Sequence, residues 1–387
     1  MSLPKNVEEL VKDRFESLFL DIKMAKRSLV IDDKPKLTAI ELEQSKTARA
    51  LLHVEKQAIQ KKDLNEKSNL DLLSAMGDQV NAAVEKHLKE SLEDTELLYS
   101  KVMGIDHALP KLLDLACTKA ATISKIEPLA TELPWLYSDL MKFANKPSNR
   151  RTDQTGKPVL VETLRVGLNI FGLENLTFVL TYLAFKRSLP QITDPYPEIK
   201  HRIWEEALAT AISCKQIASV VGVNQYQAFC LGMFHMMGKV VVTKLYFRLF
   251  EREQRKAVTE TQKALKHNEH TALTRMTPSG PFLNHLIDQY ALDISAKLID
   301  NMSMRRVFIS LAMHETANDH EISSLSPLAL VLKQGNAYAQ YRMLKEHNLI
   351  DLQQSKDFIR TLKMPKGALE LLRKTNLRAL DLSINNN

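Results

Sequence analysis

The sequence predicts an all-α, multi-helical bundle with an additional helical region at its N-terminus. Three observations predict it. Glycine is scarce, 11 of 387 residues, against an average usage of about 7%. The stretches between prolines are rich in Leu, Ala, Lys, Glu and Gln, all good helix formers. Apolar residues return every three or four positions, and no alternating pattern is long enough to argue a sheet.

Residues 1–105 read as the N-terminal helical region. In "VEELVKDRFESLFLDIKMAKRSLV" the residues Val7, Leu10, Val11, Phe15, Leu18, Phe19 and Ile22 make one core-facing stripe. Asp32, Asp33, Lys34 and Pro35 break that helix, and "LTAIELEQSKTARALLHVEKQAIQKK" supplies a second. A third covers 68–103, with Ser68 as N-cap and Gly104 as stop. Heptads are not sustained, so no coiled coil is expected. "GIDHALP" at 104–110 marks a boundary, because Gly104 and Pro110 both interrupt helix.

Beyond it, helices are expected near 111–121, 134–146 and 159–187, with the polar loop "KPSNRRTDQTGKP" at 146–158. A pair at 199–222 and 225–250 brackets "VGVN", where Gly222 ends one helix and Asn224 caps the next. The stretch 251–285 is polar and ends in "TPSGP", so its later part is expected to be loop. Helices resume at 288–303, 304–318, 326–346, 350–363 and 366–375. There is no internal repeat. The expected division is 1–105, a central domain over 106–320, and C-terminal helices over 321–387 that pack on or extend it.

Apolar residues make up 44% and charged residues 26%, the composition of a globular protein with a sizeable core. Cys117, Cys214 and Cys230 are isolated in apolar segments, without C-x-x-C spacing, and read as reduced cytosolic thiols. No signal peptide is visible in "MSLPKNVEELVKDRFESLFL". The most membrane-like run, "NLTFVLTYLAF", is 11 residues, about half a span, so a cytoplasmic protein with no membrane partner is expected. The net charge of +7 is uneven: residues 1–108 hold 17 basic against 20 acidic residues, and the remainder 36 against 26. A basic second part admits an acidic partner, but describes solubility and association before function.

Four stretches resemble one family, the HDOD output domain, a divergent relative of the HD-type metal-dependent phosphohydrolases. "ELPWLYSDLMKFANK" at 132–146 is similar to that family's "DPxLxxxLLxLANS" helix through Pro134, Leu136, Leu140, Met141, Ala144 and Asn145. "VETLRVGLNIFGLENLTFVL" at 161–180 resembles its "AIxxLGxxxxxNL" segment in Gly172 and Leu176, and "WEEALATAISCKQIA" at 204–218 resembles "WxHSLxxAxxAxxLA". "QAFCLGMFHMMGK" at 227–239 resembles "EAFLAGLLHDIGK" in Ala228, Phe229, Gly232, His235, Gly238 and Lys239. The order and spacing hold over roughly 109–318, and the ends of the chain lie outside it.

The resemblance implies a helical HD-like bundle and a role in bacterial signal transduction. It also implies a metal site, which this sequence departs from. In active HD phosphohydrolases a His, an adjacent His-Asp pair and a distant Asp bind a divalent metal. Here Glu206 stands at the first His and Met236 follows His235. A thioether does not replace a carboxylate toward a hard cation. His314, in "AMHE", lies where family members often carry histidines. Glu206 with His235 falls short of the three protein ligands of a catalytic site. His235 therefore reads as a remnant of the metal ligand, open to three roles: a satisfied core histidine, a contact for a nucleotide or small anionic ligand, or a metal ligand. Lys239 is expected to pair with Glu205 or Glu206.

Met233, Met236, Met237, Met302, Met304 and Met313 read as core gap-fillers, or as an apolar groove for a partner helix. Lys244, Arg248, Arg252, Arg255 and Lys256 fall on one helical face, interrupted by Glu251 and Glu253. "HNEH" at 267–270 lacks a third ligand, and there is no G-x-S-x-G and no P-loop.

The preferred reading is a non-enzymatic regulatory protein that binds a protein partner in signalling and needs no cofactor. The candidate ligand site is Glu206, His235, Met236, Lys239 and His314, with no catalytic residue and no metal. Two alternatives stand beside it: a phosphohydrolase with a site rearranged from Glu206, His235 and His314, and a nucleic-acid module using the 244–256 stripe.

Overall fold

The computed structural model describes residues 6–27, 29, 52–118, 120–150, 157, 160–318 and 324–382, and every regular element among them is helical. At the N-terminus α1 (Val7–Leu20) buries Val11, Phe15, Leu18 and Phe19, the predicted stripe, and is followed by the short α2 (Ile22–Arg27). The predicted break at Asp32–Pro35 lies outside the described residues, as does most of the predicted second helix and of the loop 146–158.

α3 (His53–Glu93) is one helix of 41 residues. The expected start at Ser68 is corrected: Ser68 is exposed mid-helix, where a small polar side chain facing water does not stop a run of good helix formers. A turn at Thr95–Leu97 leads into a π-helix, Leu98–Met103, that ends on Gly104 at φ 68°. Gly104 is thus the predicted stop, because only glycine enters the left-handed region without cost.

The central region runs α4 (Ala108–Ala116), α5 (Ile123–Thr131), α6 (Pro134–Ala144), α7 (Leu164–Ile170) and α8 (Gly172–Ser188). The single helix expected over 159–187 is two, bent by 109° at Gly172, whose φ is 69°. α9 (Ile199–Val221) ends on Gly222 and Asn224 caps α10 (Gln225–Phe234), its side chain accepting from the Gln227 amide, both as predicted. The helix expected over 225–250 is interrupted at His235 and Met236 before α11 (Met237–Lys263). α12 (His267–Arg275) is helix where loop was expected. α13 (Gly280–Asn301) begins earlier than predicted, because Ser279 caps it and Pro281 sits in its first turn, where a missing N–H costs nothing. α14 (Ser310–Ala317), α15 (Pro327–Glu346), α16 (Leu352–Thr361) and α17 (Ala368–Lys374) complete the chain.

Two helices organise the core. α9 packs between α10 and α15, and α11 between α13 and α3. Glycines permit the closest approaches: a Cβ on Gly232 would lie 2.7 Å from Ala211 Cα, and one on Gly238 1.8 Å from the Ala291 carbonyl oxygen. α1 does not stay with α3 but lies across α9, α15 and α16. The stretch Gln225–Lys263 is long and apolar enough to cross a membrane, yet 89% of its apolar window is buried inside the fold. Met233, Met236, Met237, Met302 and Met313 are buried and fill the core, and Met304 is partly buried against it. The three cysteines are free thiols.

Candidate functional site

The junction between α10 and α11 is fixed by one hydroxyl. Ser295 Oγ on α13 donates to the His235 carbonyl at 2.6 Å and accepts from the Gly238 amide at 2.8 Å. This pins the two residues at the break and the first turn of α11, so His235, Met236 and Lys239 have set positions opposite α9 and α15.

His235 is 4% exposed. Its Nδ1–H donates to the Gly232 carbonyl at 2.7 Å, leaving the buried Nε2 as an acceptor with no close hydrogen bond among the described residues, Asn336 being the side chain that interacts with the ring. Burial drives its pKa down to about 4, against the opposing pull of the Glu206 carboxylate, so the ring is neutral at pH 7. It borders a cavity of about 250 Å³, lined also by Glu315, Thr316, Leu332, Lys333, Asn336 and Gln340.

Glu206, on α9, is 1% exposed. Lys239 Nζ lies 2.6 Å from its Oε2, and Gln340 Nε2 on α15 donates to its Oε1 at 2.9 Å. Both carboxylate oxygens are therefore engaged by the chain itself. Of the two partners expected for Lys239, Glu206 is the one used; Glu205 instead holds Arg202 at 2.7 Å and His201 at 3.1 Å. The ammonium is roofed by α1, with the Phe19 and Phe15 ring centroids 5.1 and 5.7 Å away. Such placement over ring faces favours a cation. α1 is held there by Arg14, which donates to the Leu349 carbonyl at 2.8 Å and to Gln354 Oε1 at 2.7 Å.

Met236 is 2% exposed, its thioether in the core. His314 is not brought to the cluster: its Nε2 lies 2.7 Å from Asp300 Oδ2, and the side chain is 42% exposed. Among the described residues no group of three or more His, Cys, Asp or Glu side chains is placed to hold a metal ion. The donor set does not fit one either, since Glu206 is already paired with an ammonium, His235 offers a single lone pair and the residue after it carries sulfur.

Three of the five basic-stripe residues are engaged within the chain. Lys244 donates to the Val102 carbonyl at 2.8 Å, and burial pushes its pKa down to about 8. Arg252 pairs with Glu253 at 2.7 Å and Arg255 with Glu251.

Residues 105–279 match the family model of the HDOD domain. The chain carries an HDOD domain. Glu206, His235, Met236 and Lys239 fall inside the matched segment, whereas Phe15, Phe19, Ser295, Asn336 and Gln340 lie outside it. The chain is similar to several solved structures. One, from Shewanella amazonensis SB2B and provisionally named a phosphohydrolase, is 15% identical, with 76% of this chain and 97% of that chain covered and a TM-score of 0.40. An HDOD domain protein with unknown function from Geobacter sulfurreducens is also 15% identical, with 72% and 92% covered and a TM-score of 0.42. A Marinobacter aquaeolei VT8 protein, provisionally named a signal transduction protein, is 16% identical, with 78% and 66% covered and a TM-score of 0.42. No curated protein matches the chain.

The residues that complete the HDOD cluster left faint signals in the sequence. Asn336 and Gln340 are spaced i, i+4 in "QGNAYAQYR", which places both on one face of a helix. Phe15 and Phe19 share that spacing, but it says only that they face a core.

Proposed function

We propose that this HDOD-domain chain is a non-catalytic regulatory protein that acts by binding, with the HD metal site replaced by an internal ion pair. One observation carries the reading: the Lys239 ammonium sits 2.6 Å from Glu206 and beneath Phe15 and Phe19. A dication at Glu206 would have to compete with the ammonium already paired with that carboxylate and with the Gln340 amide. Met236, not a carboxylate, follows His235, and Glu315, which borders the same cavity, accepts from the Ser326 amide. The partner under this reading is a protein in a signalling pathway. The division into 1–105, 106–320 and 321–387 belongs to the same proposal, supported at its first boundary by Gly104 and by the start of the HDOD match at residue 105.

The test uses the purified full-length chain. Elemental analysis after dialysis is expected to find no stoichiometric divalent metal, and bis(4-nitrophenyl) phosphate is expected to survive with added Mn²⁺ or Mg²⁺. Metal-dependent hydrolysis that disappears in His235→Ala while folding is retained would overturn the reading.

A further inference from the structure

A second group of charges gathers on a row of aromatic rings drawn from three helices. Phe143 of α6, Tyr182 of α8 and Trp204 of α9 follow one another at centroid distances of 5.1 and 4.7 Å. Phe143 and Tyr182 are buried, and Trp204 is half-buried. Lysines cover the row. Lys146 Nζ lies 5.6 Å from the Phe143 centroid, and Lys186 Nζ lies 5.8 and 5.5 Å from those of Tyr182 and Trp204. Lys200 stands one turn before Trp204 on the same face of α9, and its ammonium donates to Gln191 Oε1 at 2.6 Å. Among the described residues none of the three lysines is in an ion pair with a carboxylate. Burial lowers the pKa of Lys186, and the Lys146 and Lys200 ammoniums lower it further against the opposing pull of Asp139. Three cations against that one carboxylate leave a surplus of two positive charges. A wider circle keeps the surplus. Arg187, 5.4 Å over the Trp135 ring, and Arg202 add two cations, while Glu198 and Glu205, both held by Arg202, add two carboxylates.

We infer that Lys146, Lys186 and Lys200 together bind a phosphate dianion, free or as a monoester. The charges match, because a phosphate monoester carries about −1.5 to −2 at pH 7. Ammonium groups are compact point charges, which suit phosphate. The ring faces already hold the Lys146 and Lys186 ammoniums in place, so less side-chain freedom is lost when the anion arrives. A dianion also relieves the mutual repulsion of like charges gathered at one spot. The lysines come from separate elements and meet around Lys186 instead of running along one helix, which suits a compact group better than a nucleic-acid backbone. The inference does not rest on the reading given above.

The chain has two tryptophans, Trp135 and Trp204, so indole ¹⁵N labelling gives two side-chain resonances and Trp135→Phe assigns them. The full-length protein is titrated at low salt with phenyl phosphate and, separately, with phenyl sulfate, which has the same shape and a single charge. The expected result is a saturable shift of the Trp204 indole resonance by phenyl phosphate below about 1 mM, weakened about tenfold or more with the sulfate and in Lys186→Gln. Inorganic phosphate, titrated alone, separates the two sources: binding as tight as the ester's assigns the site to the free ion, and weaker binding assigns it to an ester. Four results overturn the proposal: no saturable shift, equal affinity for the sulfate, undiminished binding by a folded Lys186→Gln, or tighter binding of a single-stranded oligothymidylate. If Lys186→Gln does not fold, Lys146→Gln, at an exposed position, is read in its place.

Discussion

Phe19 of the N-terminal helix holds its ring 5.1 Å from the Lys239 ammonium of the HDOD domain. A segment outside the family match therefore covers the Glu206–Lys239 pair. Phe19 is buried, and Phe19→Ala is expected to cost about 3–5 kcal/mol from lost packing and the cavity left behind. Urea unfolding measures it. Phe19→Leu, which keeps most of the volume, should cost less.

Glu206 and Lys239 should behave as one unit. Lys239→Ala strands a buried carboxylate and is expected to lose about 3–5 kcal/mol, whereas pairing Lys239→Met with Glu206→Gln removes both charges and recovers much of that loss. A double-mutant cycle by chemical denaturation reads the coupling. Additive single losses would mean that the contact is not formed in solution.

His235 makes stability depend on pH in a defined window. Its folded pKa, about 4, lies below the ordinary 6.5, so on acidification the unfolded chain takes the proton first. The stability it contributes is complete above about 6.5, falls as pH drops toward 4, and changes no further below that. The loss is on the order of 3 kcal/mol at 1.36 kcal/mol per unit. His235→Gln should flatten this part of the profile relative to the unaltered chain, as measured by urea titrations at pH steps across the window.

Two glycines should respond oppositely to alanine. At Gly238 the new Cβ would lie 1.8 Å from the Ala291 carbonyl oxygen, which is backbone and has no rotamer to escape into. Gly238→Ala is expected to lose about 3 kcal/mol or more. Gly77, inside α3, has nothing within 4 Å of its would-be Cβ, and Gly77→Ala should gain about 0.5–1 kcal/mol. Thermal unfolding of the two variants checks both signs.

The sequence by itself determined the all-helical class, the ends of α9 and α10 at Gly222 and Asn224, the stop at Gly104 and the HDOD resemblance, because these rest on residue type and on spacings of a few positions. The same resemblance implied a carboxylate at the position that Met236 holds. What it did not show were the interruptions at Gly172 and His235 and the uninterrupted run of α3 through Ser68. Each depends on whether neighbouring helices compensate or demand a break, which local propensity does not encode.

Only the tertiary structure decided that Lys239 pairs with Glu206 and not Glu205, that His314 turns to Asp300, and that Gln340 and Phe19 close the cluster. Glu206 and Gln340 are 134 positions apart, and Phe19 is 220 before Lys239. Their meeting is set by the packing of α1, α9, α11 and α15, with α15 brought onto α9 at Gly335 and α11 onto α13 at Gly238, and helical periodicity fixes a residue's face without naming the helix that covers it.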